Sequence, residues 1–392
     1  MAILEHRGVS NGRAKPLRVA VFNASERYHG YATGVGKHAV NMVGQLARRK
    51  DVDLTFWVPK DYWALDQSAP SIAPLAHVRS CRLPISRRAY AAATLSLNWP
   101  SLDSYSGEVD WIYSPREVLV SARRANTAVT IHDVYHFEPD RKKRFDPRTL
   151  MRFAMWSRIV SRASVVLTVS EFSKSRICEL FGADRTRVQV LGNGIEQHFF
   201  DISRMEPDVA SPLSGVKYFI AVGGISRKKG GHNLLRFAEQ LAIQASDIRL
   251  LVIGPVEQEF RSDASAARNV MLIDGGIDDL SMGRWIRGAI ALVALSDYEG
   301  FGIPGLEAMA AGVPVVANRG GGALPEIIGD AGLVIDAKSA SDLAEAVELW
   351  RDANLRDTLI KRGHARAAEY RWDRFCDRLA TLLGAYAVRQ SS

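Results

Sequence analysis

Cysteine is scarce in this 392-residue chain: it has three, Cys81, Cys178 and Cys376, lying far apart. They form no CxxC or Cys/His spacing, which argues against a zinc site and a disulfide framework and agrees with a reducing, cytoplasmic setting. Long apolar runs are missing too. None approaches the roughly 18 residues that a membrane-spanning helix needs, the longest being pieces such as 290–295. The opening stretch MAILEHRGVSNGRAKPLRV has no apolar h-region, so residues 1–15 are expected to form a flexible arm rather than a signal peptide. Aromatics make up 8% and are not interleaved with basic residues in any recognised binding pattern. No nucleic-acid partner is therefore expected, although 51 basic against 43 acidic residues leave a net charge of +8. That excess favours an anionic ligand or surface without choosing one.

The remaining composition, 47% apolar and 24% charged, is that of an ordinary globular protein. At roughly 150 residues per domain two domains are expected. Apolar β-rich runs at 17–23, 53–59, 127–133, 164–170 and 187–193 alternate with amphipathic stretches, and a second series follows at 217–223, 248–254, 269–274, 289–295 and 313–318. Strands alternating with helices predict parallel sheets, hence an α/β fold of two Rossmann-like, doubly wound domains. Apolar periodicity fails around 195–215. The expected division is a first domain over 16–200, a linker over 201–215, a second domain over 216–371, and a helix over 372–392 packing back across the interface. Ligands of such folds bind beyond the carboxyl ends of the strands, so the residues after each strand are the ones to read for chemistry.

The strongest such segment is SDYEGFGIPGLEAMAAGVPVVA (296–317), where a strand runs into a loop bearing Glu299 and then a helix bearing Glu307. Gly300, Gly302 and Gly305 allow close backbone approach, and the free N–H groups at the helix start, near Ile303 and Pro304, suit an anion such as a phosphate. Carboxylates accept hydrogen bonds only, which fits sugar or ribose hydroxyls. A single glutamate near a helix start would merely complement the dipole; the whole loop says more. Glu299 and Glu307, with seven residues between them, resemble the EX7E signature of glycosyltransferase family 4, retaining enzymes of the GT-B fold, and GGGALPEIIGDAGLVID (320–336) resembles the family's continuation. TVSEFSKSRI (168–177) and VQVLGNGIEQHFF (188–200) resemble its domain-crossing segment, with Glu196 where the family usually has Asp.

The resemblance implies a GT-B architecture with a central cleft, a nucleotide-sugar donor held mainly by the second domain and an acceptor mainly by the first. It assigns Glu299 to the donor-sugar hydroxyls and Glu307 to the ribose, with Gly302, Ile303 and Pro304 lining the site. In GISRKKGGHNLL (224–235), after the strand that closes on Gly223 and Gly224, it makes Lys229 the diphosphate lysine. The arginine common just after that strand is absent; Arg227, with Lys228 as the alternative, is the candidate for its charge. His132, in TIHDVYHF (130–137), matches the family's histidine near the reacting carbon, and Asp133 and Tyr135 are placed on the acceptor side. Thr33-Gly34-Val35-Gly36 resembles the family's glycine loop over the diphosphate, with Lys37 adding charge. Neither a metal nor a cofactor is expected.

Two further patterns carry less. Asp51-Val52-Asp53 has DxD spacing but precedes its strand, the wrong end for a ligand. The basic helix RTLMRFAMWSRIVSRA (148–163) fits an anionic membrane surface and core packing equally well. The expected activity is transfer of a sugar, from GDP-mannose first and a UDP-sugar next, to a saccharide or lipid-linked oligosaccharide acceptor of cell-envelope polysaccharide synthesis, at the inner face of the membrane. The alternatives are a nucleotide-sugar epimerase of the same fold and a non-catalytic nucleotide or sugar-binding protein.

Overall fold

Parallel strands covered on both faces need side chains that are apolar on both faces, and the apolar runs of this chain meet that need in two separate sheets. A computed structural model describes residues 15–23, 34–61, 75, 77–138, 146–207, 211–213 and 215–389. The first sheet contains β1 (Leu17–Phe22), β2 (Val52–Pro59), β3 (Ser80–Leu83), β4 (Trp111–Ser114), β5 (Asn126–Thr130), β6 (Val165–Thr168) and β7 (Val188–Val190) in the order β3-β2-β1-β4-β5-β6-β7. The second contains β8 (Tyr218–Val222), β9 (Arg249–Ile253), β10 (Val270–Ile273), β11 (Leu292–Ala294), β12 (Val315–Asn318) and β13 (Leu333–Ile335) in the order β10-β9-β8-β11-β12-β13. All the pairings are parallel.

Three strands carried no usable signal in the sequence. β3 (SCRL) is a mostly solvated edge, β4 (WIYS) is short though fully buried, and β13 has three residues. Each sheet reverses its order beside its first strand, at β1/β4 and at β8/β11, and these switch points are where crevices open in doubly wound sheets. The helix Gln197–Ile202 lies at the end of the span expected for the first domain, yet its Phe199 and Ile202 pack with Tyr218, Ile220 and Leu292 of the second. The helix Trp372–Arg389 returns to the first sheet: Trp372, Phe375, Leu379 and Leu383 join the core of β1 and β4, and Trp111 Nε1 donates to the Leu383 carbonyl at 3.0 Å. Residues 1–14 of the expected arm and Thr33 lie outside the described residues. Among the described residues no helix is long and apolar enough to cross a membrane.

Candidate functional site in the cleft between the domains

Because β8 and β11 are neighbours at the switch point of the second sheet, the loops that follow them meet. The loop after β8 brings Lys229, and the loop after β11 brings Glu299; Lys229 Nζ lies 2.7 Å from Glu299 Oε1, which also accepts from Ser296 Oγ at 2.8 Å. The Glu299 backbone is pinned by the GGGALPE segment: its N–H donates to the Gly321 carbonyl, and its carbonyl accepts from the Ala323 N–H. Gly302, at φ +96°, starts the helix Ile303–Ala310, with Pro304 in its first turn. A Cβ at Gly302 would stand 2.6 Å from Leu324 Cδ1, so both the left-handed backbone and the packing require glycine there. One helical turn on, Glu307 is buried at 3% exposure.

The first domain faces this wall directly. Ser170 caps the helix Glu171–Phe181 and donates from its hydroxyl to the Gly300 carbonyl at 2.8 Å, while Glu326 of the second domain accepts from the Glu171 and Phe172 N–H groups. These contacts hold a cleft of about 400 Å³ whose lining includes Gly34, Lys37, His132, Asp133, Asn193, Gly223, Lys228, Lys229, Asp279, Glu299, Gly302, Ile303, Pro304 and Glu307. His132 lies just beyond β5, with Nε2 3.0 Å from the Pro115 carbonyl after β4. Behind it His38 is fully buried, its ring edge-on to His132 at 4.7 Å and its Nδ1 2.6 Å from Asn193 Oδ1. Burial, with His132 adding, pushes the His38 pKa well down and keeps that ring neutral.

Lys228 crosses the cleft to Asp133, Nζ to Oδ2 2.7 Å, above the ring of Tyr135 at 5.0 Å. Burial alone would raise the Asp133 pKa, but the charge and hydrogen bond of Lys228 outweigh it and hold the carboxyl below its usual range. Arg227 was the expected source of the second diphosphate charge; the structure turns it outward instead. Its guanidinium pairs with Glu259 at 2.6 Å on an exposed surface, and its N–H donates to Glu257, so Lys228, and not Arg227, joins Lys229 in the cleft lining. Tyr135 lies under Lys228 and against Tyr298 rather than in the cleft lining. Gly224 and Gly36 are also outside that lining, and Gly34 and Gly36 open the helix Gly34–Ala47, as their place after β1 suggests. Asp51 pairs with Arg49 at 2.8 Å at the amino end of β2, away from the site.

Sequence reasoning missed the partners of Lys37, whose Nζ lies 2.6 Å from Glu307 Oε1 and 2.9 Å from Asp279 Oδ1. It missed His38 and Asn193 as well. A signal for the first two exists in GVGKHAVNMVGQLA, a helix buried almost all round with a lysine and a histidine among its apolar residues.

Two parallel-sheet, Rossmann-like domains facing each other across a cleft of this kind define the GT-B class of glycosyltransferases. Sucrose-phosphate synthase from Thermosynechococcus elongatus shares the fold with a TM-score of 0.69 at 19% identity, covering 96% of this chain and 100% of that one. So does Anabaena HepE in complex with UDP-glucose, with a TM-score of 0.69 at 16% identity over 94% and 100%. In sequence, a model described as Glycosyltransferase Family 4 matches residues 32–199, and one described as Glycosyl transferases group 1 matches 207–366. The chain belongs to this family. Among its relatives are O-antigen chain mannosyltransferase B of Escherichia coli, 26% identical over 87% of this chain and 93% of that protein. Another is the GDP-mannose-dependent alpha-(1-6)-phosphatidylinositol monomannoside mannosyltransferase of Mycobacterium tuberculosis, 26% identical over 89% and 94%.

Proposed function

We propose that this glycosyltransferase is a retaining, metal-independent enzyme that moves a hexose, mannose from GDP-mannose in the first instance and a sugar from a UDP-sugar in the second, to a saccharide or lipid-linked oligosaccharide of the cell envelope. The observation that carries the reading is the convergence of Lys228, Lys229, Glu299, the Gly302–Pro304 helix start and Glu307 in one cleft opposite His132. The names of the two mannosyltransferase relatives support the donor. HepE, bound to UDP-glucose in its structure, supports the alternative base.

Departure of a nucleoside diphosphate from the anomeric carbon builds negative charge on phosphate oxygens and oxocarbenium character on the sugar. Fixed cations and N–H dipoles therefore lower the barrier most directly, and Lys229, Lys228 and the start of the helix Ile303–Ala310 would supply them. These groups meet the diphosphate charge without a divalent ion. Glu299, already accepting from Lys229 and Ser296 through Oε1, would accept sugar hydroxyls through its other oxygen, and Glu307 would take the ribose. The acceptor would attack on the face the leaving group vacates and give its proton to a phosphate oxygen; no glutamate would become covalently attached. Ile277, Asp279 and Met282 line the cleft beside Glu307 and would border the nucleoside.

The same reading extends to a peripheral contact with an anionic lipid surface. The helix Pro147–Arg162 exposes Leu150 and Met151, at 52% and 64%, beside Arg148 and Arg152, while its Trp156, Ile159 and Val160 are buried. An apolar tip flanked by arginines fits acidic headgroups. Incubation with GDP-mannose or UDP-glucose in EDTA, with membrane-extracted acceptors, tests the whole reading. The expected product carries the sugar in the donor's anomeric configuration by proton NMR. An inverted product removes the retaining mechanism, and donor consumed without acceptor turns the assignment toward an epimerase.

A further inference from the structure

Lys37 is a buried cation, 8% exposed, that belongs to the first domain but makes its ion pairs with the second. Its Nζ bridges Glu307 Oε1 and Asp279 Oδ1, on two different helices that line the donor side of the cleft. The ring of Phe199 lies 5.5 Å from the same nitrogen. A third carboxylate, Glu196, accepts from Asn41 Nδ2 at 3.1 Å, and Asn41 also donates to the Lys37 carbonyl one turn back on the helix. The groups whose charge acts on this nitrogen are Glu196 from the domain crossing, His198 from the helix Gln197–Ile202, Asp279 and Glu307. One cation stands among three carboxylates. Among the described residues, Asp279 Oδ2, Glu196 Oε2 and His198 Nε2 have no hydrogen-bond partner.

Burial disfavours the charge on Lys37, yet the three carboxylates more than compensate and hold it firmly protonated. Remove it, and like charges are left together in a water-poor site, where they disperse or take up protons. We infer that Lys37 is a positioning residue for the donor: it reaches across the cleft and fixes Glu307 and Asp279 where a nucleoside can use them, so that full donor recognition requires the two domains to be together. This rests on the reading of Glu307 as the ribose acceptor.

The test is calorimetric titration of GDP and UDP, and of their 2′-deoxy forms, into wild type, Lys37→Arg and Lys37→Met between pH 6 and 8. Wild type prefers the ribonucleotide by about tenfold, as expected for a hydrogen bond to a charged acceptor. Lys37→Arg keeps most of that preference. In Lys37→Met the ratio collapses toward one. The residual binding weakens as pH falls from 8 to 6, because a carboxyl that has gained a proton must lose it to accept the ribose. If Lys37→Met does not fold, Lys37→Gln, which can still donate hydrogen bonds but carries no charge, is read by the same ratio and pH profile. An unchanged ratio and pH profile in the neutral variants overturns the inference while leaving the donor reading intact. A wild type that binds neither nucleotide overturns the donor reading itself, and this inference with it.

Discussion

The second domain's wall of the cleft is backbone held by glycines, whereas the first domain's wall is side chain held by partners. On the second wall Gly223, Gly230 and Gly302 follow strand ends with φ values of +106°, +65° and +96°, and the loops they allow bring main-chain N–H groups, Lys229 and Glu299 together. On the first, the polar lining includes Lys37, His132, Asp133 and Asn193, each fixed by a contact to another element: Glu307, the Pro115 carbonyl, Lys228 and His38. The difference teaches a division of labour. A rigid backbone cradle would suit the diphosphate of the proposed donors, and the opposite wall sets geometry through side chains.

Four tests probe this contrast between the walls. The largest effect is expected from Lys229→Met, which removes a cation from the developing negative charge; initial transfer rates should fall by about 10²–10³-fold, and a loss below tenfold would shift the main stabilising role to the helix start or Lys228. Next is the backbone itself. A Cβ at Gly230 would lie 1.9 Å from the Leu295 carbonyl oxygen at a φ of +65°, so Gly230→Ala should cost at least about 1–3 kcal/mol in urea denaturation. At Gly34, on the first wall, the Cβ would meet, among the described residues, the flexible side chain of Ile303 at 3.0 Å, and Gly34→Ala should stay within about 1 kcal/mol of wild type. Equal costs at the two glycines would erase the contrast between the walls.

The cross-cleft pair comes third. Lys228 and Asp133, with side chains 29% and 25% exposed, should show a coupling of about 1 kcal/mol in a double-mutant cycle of Lys228→Met and Asp133→Asn measured by thermal unfolding. Additive effects would mean that the bridge contributes nothing to docking of the domains. The smallest effect is at Glu196, which burial, helped by Glu307 and Asp279 and opposed by Lys37, pushes up to about 7. The folded state then holds this proton more tightly than the unfolded state, so the stability tied to it is fully present below pH ~4.5 and is lost as pH rises toward 7. Glu196→Gln should flatten that part of the stability profile and gain about 1 kcal/mol above pH 7, once solvent screening is allowed for. A profile identical to wild type would show that Glu196 is ionised at no cost.

Both walls were legible in part: Gly34, His132 and Asp133 of the first line the cleft where they were expected, and the second was the more fully read. Its loops follow apolar strands at fixed spacing, and glycines beside strand ends can be read in one dimension; Lys229, Glu299, Gly302 and Glu307 all face the cleft as read. The first wall depends on which residues tertiary packing brings together. The second wall was not wholly legible either, since nothing local in RKK distinguishes Arg227, drawn outward by Glu259, from Lys228, drawn inward by Asp133. Lys37 sits on a helix face whose partners lie about 240 and 270 residues further along the chain. The strands β3 and β4 escaped for local reasons: an edge strand carries polar residues, and four residues are too few to establish a period.

The central claim is that this cleft is a nucleoside-diphosphate site worked by Lys229 and Glu307. The most direct measurement is calorimetric titration of GDP, UDP and ADP in EDTA into wild type, Lys229→Met and Glu307→Ala. One-to-one binding of at least one nucleotide to wild type is expected without added metal, weakened about tenfold or more by each substitution. Binding that is absent from wild type, or equal in all three proteins, would contradict it.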